Sequence, residues 1–203
     1  MNMQIFYQAH EFTSQREGKI SMDPHDPGNW TGGKVGKGNL VGTNKGISAA
    51  AYPDLDIMGL SDAEIRDLYF RDYWLRSGAA LFAKKYPALA CRLYDLSVNC
   101  GVTRASKFLQ RGVNTVCTGY VAATRQAPWR QAIARITNGK PLLVDGKVGP
   151  ITAAVITACP HDNALHAALC GEAYNHYKEG DPGNIAGWLN RLNTPIVLHG
   201  GEK

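Results

Sequence analysis

The sequence predicts an all-α protein with a loop-rich lobe near its N-terminus, and three observations carry that prediction. Apolar residues recur at helical spacing in one segment after another between Ser61 and Leu192. The pattern vanishes between Asp23 and Gly46, where two Asp-Pro pairs and seven glycines mark loop or short hairpin. Only Leu142 to Val144 reads as a candidate strand.

Each element has its own signal. Ile5, Phe6, Ala9 and Phe12 space a first helix over Asn2 to Glu17, with Gly18 as its stop. Ser61-Asp62-Ala63-Glu64 is a capping box opening a helix that carries Ile65, Leu68, Tyr69 and Trp74 to about Arg76. Pro87 suits the first turn of a helix through Leu93 and Leu96, and Thr103 is an N-cap for Arg104 to Val113. Further helical patterns cover Pro150 to Ala158, Asn163 to Tyr177 and Asn184 to Leu192.

Composition narrows the function classes. With 44% hydrophobic and 19% charged residues, the 203-residue chain suits one folded core or two small ones. A net charge of +5 suits an anionic partner such as the cell wall. Nucleic acid is not expected, because Arg125, Arg130 and Arg135 are scattered and form no basic stripe. No run approaches the ~18 apolar residues of a membrane helix, so stable membrane insertion is not expected either.

Gln4, Gln8, His10, Glu11 and Gln15 interrupt the N-terminus, which therefore lacks the pattern of a signal peptide. The expectation is a monomer made in the cytosol that works elsewhere after release. Cys91, Cys100, Cys117, Cys159 and Cys170 are odd in number and contain no CxxC pair, which favours buried free thiols. His161 and His166 are five apart, outside the spacing of helical zinc ligands. No metal and no cofactor are expected.

Glu17 is the leading catalytic candidate. A general acid must hold its proton, which calls for partial shielding beside apolar groups at a cleft wall. A glutamate on the last turn of a core helix, facing a long loop, meets that need. Such a position also puts the carboxyl at the negative end of the helix dipole. Asp26 follows nine positions later within Asp26-Pro27-Gly28-Asn29, and then comes Thr43-Asn44-Lys45-Gly46-Ile47.

These strings, with Arg16-Glu17-Gly18-Lys19-Ile20, resemble the muramidases of glycoside hydrolase family 108. That family carries a Glu-Gly-Gly-aromatic stretch, an Asp-Pro-Gly-Gly turn and a Thr-Asn-x-Gly-Ile segment in the same order. The sequence departs from it at Lys19 and Ile20 and in an insertion-like stretch around Trp30 to Val41. The resemblance implies a lysozyme-like helical fold and a phage-type endolysin that cuts peptidoglycan glycan strands between N-acetylmuramic acid and N-acetylglucosamine. It also implies Glu17 as the catalytic acid.

Phage lysozymes of a different family also space a Glu and an Asp nine apart, with a Thr following in the cleft. By that parallel Asp26 and Thr43 would orient a water for an inverting reaction. Asp-Pro-Gly is equally a common turn string, so Asp26 is read both ways, with Asp23 as its substitute. Trp30, Asn44 and Tyr52 are the expected substrate contacts. Trp30 to Gly38 joins an aromatic to two lysines on flexible backbone, a sugar platform on one reading and a hairpin on the other.

In the second half, Asp145-Gly146-Lys147-Val148-Gly149-Pro150-Ile151-Thr152 is physically a turn feeding a helix, with Pro150 at the first helical position. It resembles the Asp-Gly-x-x-Gly-x-x-Thr string of peptidoglycan-binding modules. With Asp95 to Gly101 and Gly187-Trp188-Leu189-Asn190-Arg191, it resembles the C-terminal segment that accompanies these muramidases. The expected division is a catalytic segment over 1–95 and a helical wall-binding segment over 96–203, packed as one globule.

Two rival functions remain at this level. One is a cysteine amidase or peptidase of the wall built on Cys100 or Cys170 with a histidine, which would need strands that the sequence lacks. The other is a wall-binding protein without catalysis.

Overall fold

The structure is a computed structural model that describes residues 3–118, 127–180 and 182–198; Arg125 lies outside them. Its elements are α1 (Met3–Ser14), β1 (Thr43–Asn44), β2 (Ile47–Ser48), α2 (Asp62–Tyr69), α3 (Pro87–Cys100), α4 (Val102–Thr118), α5 (Pro128–Thr137), α6 (Pro150–Ala158), α7 (Asp162–Tyr177) and α8 (Pro182–Asn193). The described residues are thus mostly helical, with one two-stranded antiparallel hairpin as the sheet. None of the helices is long and apolar enough to cross a membrane.

Contacts gather into two compact units, one of Met1–Ala9 with Arg71–Lys203 and the other of His10–Phe70. Residues 95 and 96, the expected boundary, lie inside α3 and so do not mark an edge of either unit.

The larger unit is built on α3, α4 and α7. Phe6, Trp74 and Tyr94 meet in a buried aromatic cluster, with ring centroids 5.7–5.8 Å apart. Leu89, Leu93 and Leu96 of α3 and Ala105, Phe108, Leu109 and Val113 of α4 are buried at helical spacing, as are Leu165, Leu169, Ala173 and Tyr177 of α7. At Gly112, α4 approaches α7 closely: a Cβ there would stand 3.1 Å from the Leu169 amide nitrogen.

A buried ionic network ties α8 to α3. Asp95 is 1% exposed and receives both Arg191 Nε and Arg191 Nη2, the latter at 2.8 Å. Arg92, equally buried, donates to the Arg191 and Thr194 carbonyls at 3.1 and 2.7 Å and lies 3.3 Å from Asp95. Asp95 and Arg191 fall in the strings that resembled a C-terminal accompanying segment, and here they help to hold a helix in place.

Several sequence expectations need correction. α1 stops at Ser14, short of Glu17. Arg16 ends it by folding back, its guanidinium 3.7 Å above the Phe12 ring and donating to the Phe12 carbonyl, one of the acceptors a helix end leaves open. α4 begins at Val102, so Thr103 lies within its first turn.

The helix α5 was not anticipated from the sequence, in which Arg130 and Arg135 stood only as scattered basic residues. Leu142 to Val144 form no strand. Instead the Asn114 side chain accepts from the Leu142 amide at 2.8 Å and donates to its carbonyl at 2.9 Å, standing in for a neighbouring strand.

Replacing Arg191 with Met should strand Asp95 in the interior beside the single, less well-placed Arg92. Removing one partner of a buried ion pair costs ~3–5 kcal/mol. Urea unfolding should show that loss, whereas a change below about 1 kcal/mol would mean that α8 is held by its apolar contacts alone.

Candidate functional site

All six sequence-derived site residues fall in the unit His10–Phe70. Its irregular chain is organised by one side chain, Asn29, which is fully buried. Its amide nitrogen donates to Ser21 Oγ and to the Asp23 carbonyl, and its side-chain oxygen accepts the Thr43 hydroxyl at 2.6 Å. Its backbone carbonyl receives the amides of Val41 and Gly42. A segment with few regular elements must satisfy its buried polar groups individually, and Asn29 does so for two loop segments at once.

Thr43 is thereby assigned a place. Its backbone exchanges two 2.9 Å bonds with Ser21, and its hydroxyl hydrogen goes to Asn29. From there β1 and β2 form a hairpin in the register Thr43 with Ser48 and Asn44 with Ile47. The two-residue turn is Lys45-Gly46, with φ of 45° and 82°. Positive φ at both turn positions marks the tight hairpin turn that matches strand twist, and glycine is the residue that adopts it freely.

Gly46 has a second reason to be glycine. A Cβ there would stand 2.3 Å from the Tyr69 hydroxyl oxygen, 3.1 Å from Glu17 Oε2 and 3.6 Å from Glu17 Cβ. The turn backbone, the Glu17 carboxyl and the Tyr69 hydroxyl therefore share one small volume. Tyr69, 2% exposed, donates its hydrogen to the Lys45 carbonyl at 3.0 Å and so clamps the turn from α2. His10 packs its ring 5.0 Å from the Tyr69 ring, and burial, with Arg66 nearby, pushes it down to about 4, which keeps it neutral near neutral pH.

Glu17 itself is half-buried in the bend that follows α1, with its amide donating to the Ser14 carbonyl. It is not on the helix, so the expected alignment with the helix dipole gives way to placement by the hairpin turn.

Asp26 has the turn-opening job that the sequence left open for it. Its Oδ1 accepts the Gly28 amide at 2.8 Å and caps the single helical turn Pro27–Asn29. Asp23 does the same one turn earlier, accepting the His25 amide at 2.9 Å. Asn44 is 5% exposed and donates its side-chain amide to the Ile57 carbonyl, which makes it a support of the hairpin.

Trp30 is half-buried, its indole N–H bonded to the Pro24 carbonyl at 2.9 Å. The stretch beyond it is a hydrogen-bonded hairpin loop, with Thr31 and Gly32 amides donating to the Asn39 and Lys37 carbonyls. Tyr52 is half-buried and follows the hairpin, its amide bonded to the Ser48 carbonyl. Sequence reasoning missed Asn29 and Tyr69; a buried asparagine beside a turn and a capping-box helix ending in tyrosine were the available signals.

The thiols do not offer a nucleophile. Cys170 Sγ lies 3.8 Å from His166 Nδ1, one helical turn back, yet burial pushes the thiol up and the imidazole down, against the thiolate–imidazolium pair. Burial likewise raises Cys100 to about 11 and Cys91 to about 12; the hydrogen bond with Cys117 lowers Cys159, but that residue is fully buried and so closed to a substrate. Among the described residues, no three His, Cys, Asp or Glu side chains gather in a metal-binding group.

Residues 10–101 match the family described as Glycosyl hydrolase 108. Among solved structures, the chain is similar to that of Brucella abortus SagA, with a TM-score of 0.59 and 20% identity. The similarity covers 92% of this chain and 88% of that one, which places the two in the same fold. A search of curated proteins finds no match.

The turn role of Asp26 is tested by Asp26→Asn, whose amide oxygen can still accept the Gly28 amide. Turnover on cell-wall substrate should stay within about threefold of wild type. A loss on the order of 10²-fold, the scale of a lost general acid or base, would put Asp26 in the chemistry instead.

Proposed function

From the match of residues 10–101 to the glycosyl hydrolase 108 family, we propose that the chain is a member of it, an N-acetylmuramidase with Glu17 as its general acid. Its bond is the β-1,4 linkage between N-acetylmuramic acid and N-acetylglucosamine in peptidoglycan. The observation that supports Glu17 is its seating: a half-buried carboxyl pressed against the Gly46 turn beside the buried Tyr69 hydroxyl. A side chain held at a turn by backbone contact keeps a fixed direction toward a bound strand, as positioned acid catalysis requires.

In this reading the Glu17 carboxylic acid gives its proton to the bridging oxygen as the bond from that oxygen to the muramic acid anomeric carbon breaks. The freed glucosamine carries a new hydroxyl. Water adds to the anomeric carbon, and the proton it sheds restores Glu17 through solvent. The pI near 9.0 suits attraction to an anionic wall. Trp30 and Tyr52, both half-buried and so partly open, are the aromatic contacts proposed for the sugars.

A second reading of Asp26 has one observation in its favour. Its Oδ2 makes no hydrogen bond among the described residues and the residue is exposed, so that oxygen can orient a water while Oδ1 caps the turn. That arrangement would invert the anomeric carbon. Thr43 gives its hydroxyl hydrogen to Asn29, so its part in orienting that water would be to accept a hydrogen bond from it.

The second half, with the Asp145–Thr152 string, is proposed to hold the wall while the first half cuts. Action at the wall after release from a host cytosol, as a monomeric phage endolysin, completes the reading.

Glu17→Gln keeps the shape of the side chain and removes its proton. Release of reducing sugar from purified sacculi should fall by ~10²–10⁴-fold, with the unfolding midpoint unchanged. Retention of more than about a tenth of wild-type turnover would remove Glu17 from the acid's role.

A further inference from the structure

Two of the five cysteines are placed together within the larger unit. Cys117 is the second-last residue of α4, and Cys159 caps the end of α6 on extended backbone. Their side chains meet as a hydrogen-bonded pair, with the Cys117 thiol donating to the Cys159 sulfur. The other three thiols have partners of a different kind. Cys91 and Cys100 lie against the Ile5 and Leu96 carbonyls, and Cys170 lies against the His166 ring.

The two sulfurs are held differently. Cys159 is fixed on both sides: its amide donates to the Val155 and Ile156 carbonyls at 3.2 Å, and its carbonyl accepts the buried Tyr86 hydroxyl. Cys117 belongs to the last turn of its helix, where helical structure yields most readily. A disulfide holds its sulfurs about 2.05 Å apart, closer than a hydrogen bond brings two thiols. The short approach that remains therefore falls to Cys117.

The surroundings also favour the chemistry. Beyond the bond from Cys117, the His161 amide and the Arg130 guanidinium both favour a thiolate at Cys159, against the opposing effect of burial. The proton between the sulfurs lets either one carry the charge. Cys117, 7% exposed against 0% for Cys159, is the sulfur that a reagent from outside reaches first.

We propose that Cys117 and Cys159 are a disulfide-forming pair, free as thiols under reducing conditions and joined under oxidising ones, the bond tying the end of α4 to the end of α6. The oxidant is a small-molecule or protein disulfide. The Cys117 thiolate attacks one of its sulfurs, forming a mixed disulfide and expelling the first thiolate, which takes up a proton. The Cys159 thiolate then attacks the Cys117 sulfur and expels the second. Two protein thiols lose two electrons and two protons, and the external disulfide becomes two thiols. The new bond closes the chain over residues 117–159, which carry α5, α6 and the Asp145–Thr152 string. Resting on the reading of the chain as a wall hydrolase released from a cytosol, the bond forms on release, when the chain leaves a reducing compartment for an oxidising one.

The test is incubation of the full-length native protein with reduced or oxidised glutathione, followed by acid quench, alkylation in denaturant and peptide mass mapping. Oxidised glutathione should join the peptides of Cys117 and Cys159 with loss of two hydrogens, while Cys91, Cys100 and Cys170 are recovered alkylated. Reduced glutathione should leave all five alkylated. The joined form should melt roughly 5–15 °C above the reduced one, the scale of a loop-closing disulfide in a chain of this size. Cys117→Ala should abolish both the joined peptide and the difference in melting, and Cys170→Ala should abolish neither. The mapping needs no variant, so a misfolded one leaves the proposal testable. Free Cys117 and Cys159 after oxidation, a different pairing, joining that requires denaturant, or joining without a rise in melting temperature would overturn it. Joining in a protein that releases no sugar from sacculi would remove only the hydrolase reading, and release without joining would remove only the pair.

Discussion

One backbone turn sets the geometry of the lobe that holds Glu17. Lys45 and Gly46 both adopt positive φ, and at Gly46 the chain comes so close to Tyr69 and Glu17 that a Cβ would collide with the tyrosine oxygen. Glycine is required twice over, by conformation and by space. The consequence is a fixed stack in which Tyr69 of α2 clamps the Lys45 carbonyl and the turn backs the Glu17 carboxyl. A glutamate three residues past its helix would otherwise move with a free bend. Here the Gly46 turn and the Tyr69 hydroxyl crowd one side of its carboxyl.

The same logic recurs wherever regular structure is missing. Asn29 meets five polar groups of two loop segments through one buried side chain and its own carbonyl. Asn114 plays the part of a strand for Leu142, and Gln110 holds the turn at Asp145, Gly146 and Lys147. Single amide side chains, each able to donate and accept, replace the ladders that a sheet would have supplied. Arg92, Asp95 and Arg191 do comparable work with charge, fixing α8 through a network whose members cannot be removed singly without stranding a buried charge.

Local physics made much of this legible. The capping box at Ser61 opens α2 with both of its reciprocal bonds, and Pro150 begins α6 at the first helical position. The Thr-Asn-x-Gly-Ile string was legible as a motif, and its physical content is now apparent: a buried asparagine, a glycine turn and the core residue Ile47. What the sequence concealed depends on distant partners. Glu17 looked like a helix end because Phe12 and Ala9 keep helical spacing, but Arg16 closes the helix early by stacking on Phe12. Tyr69 gave no sign of meeting a turn 24 residues earlier, and Asn29 could not be told from an ordinary loop asparagine until its three side-chain partners came together.

The central claim is that this lobe carries a muramidase site, and the bond it cuts leaves a signature at the new chain end. The most direct measurement is mass spectrometry of the soluble fragments released from purified sacculi, after borohydride reduction of their reducing ends. The account predicts fragments ending in reduced muramic acid with stem peptides still attached. Fragments ending in reduced glucosamine, or free peptides with intact glycan, would contradict it.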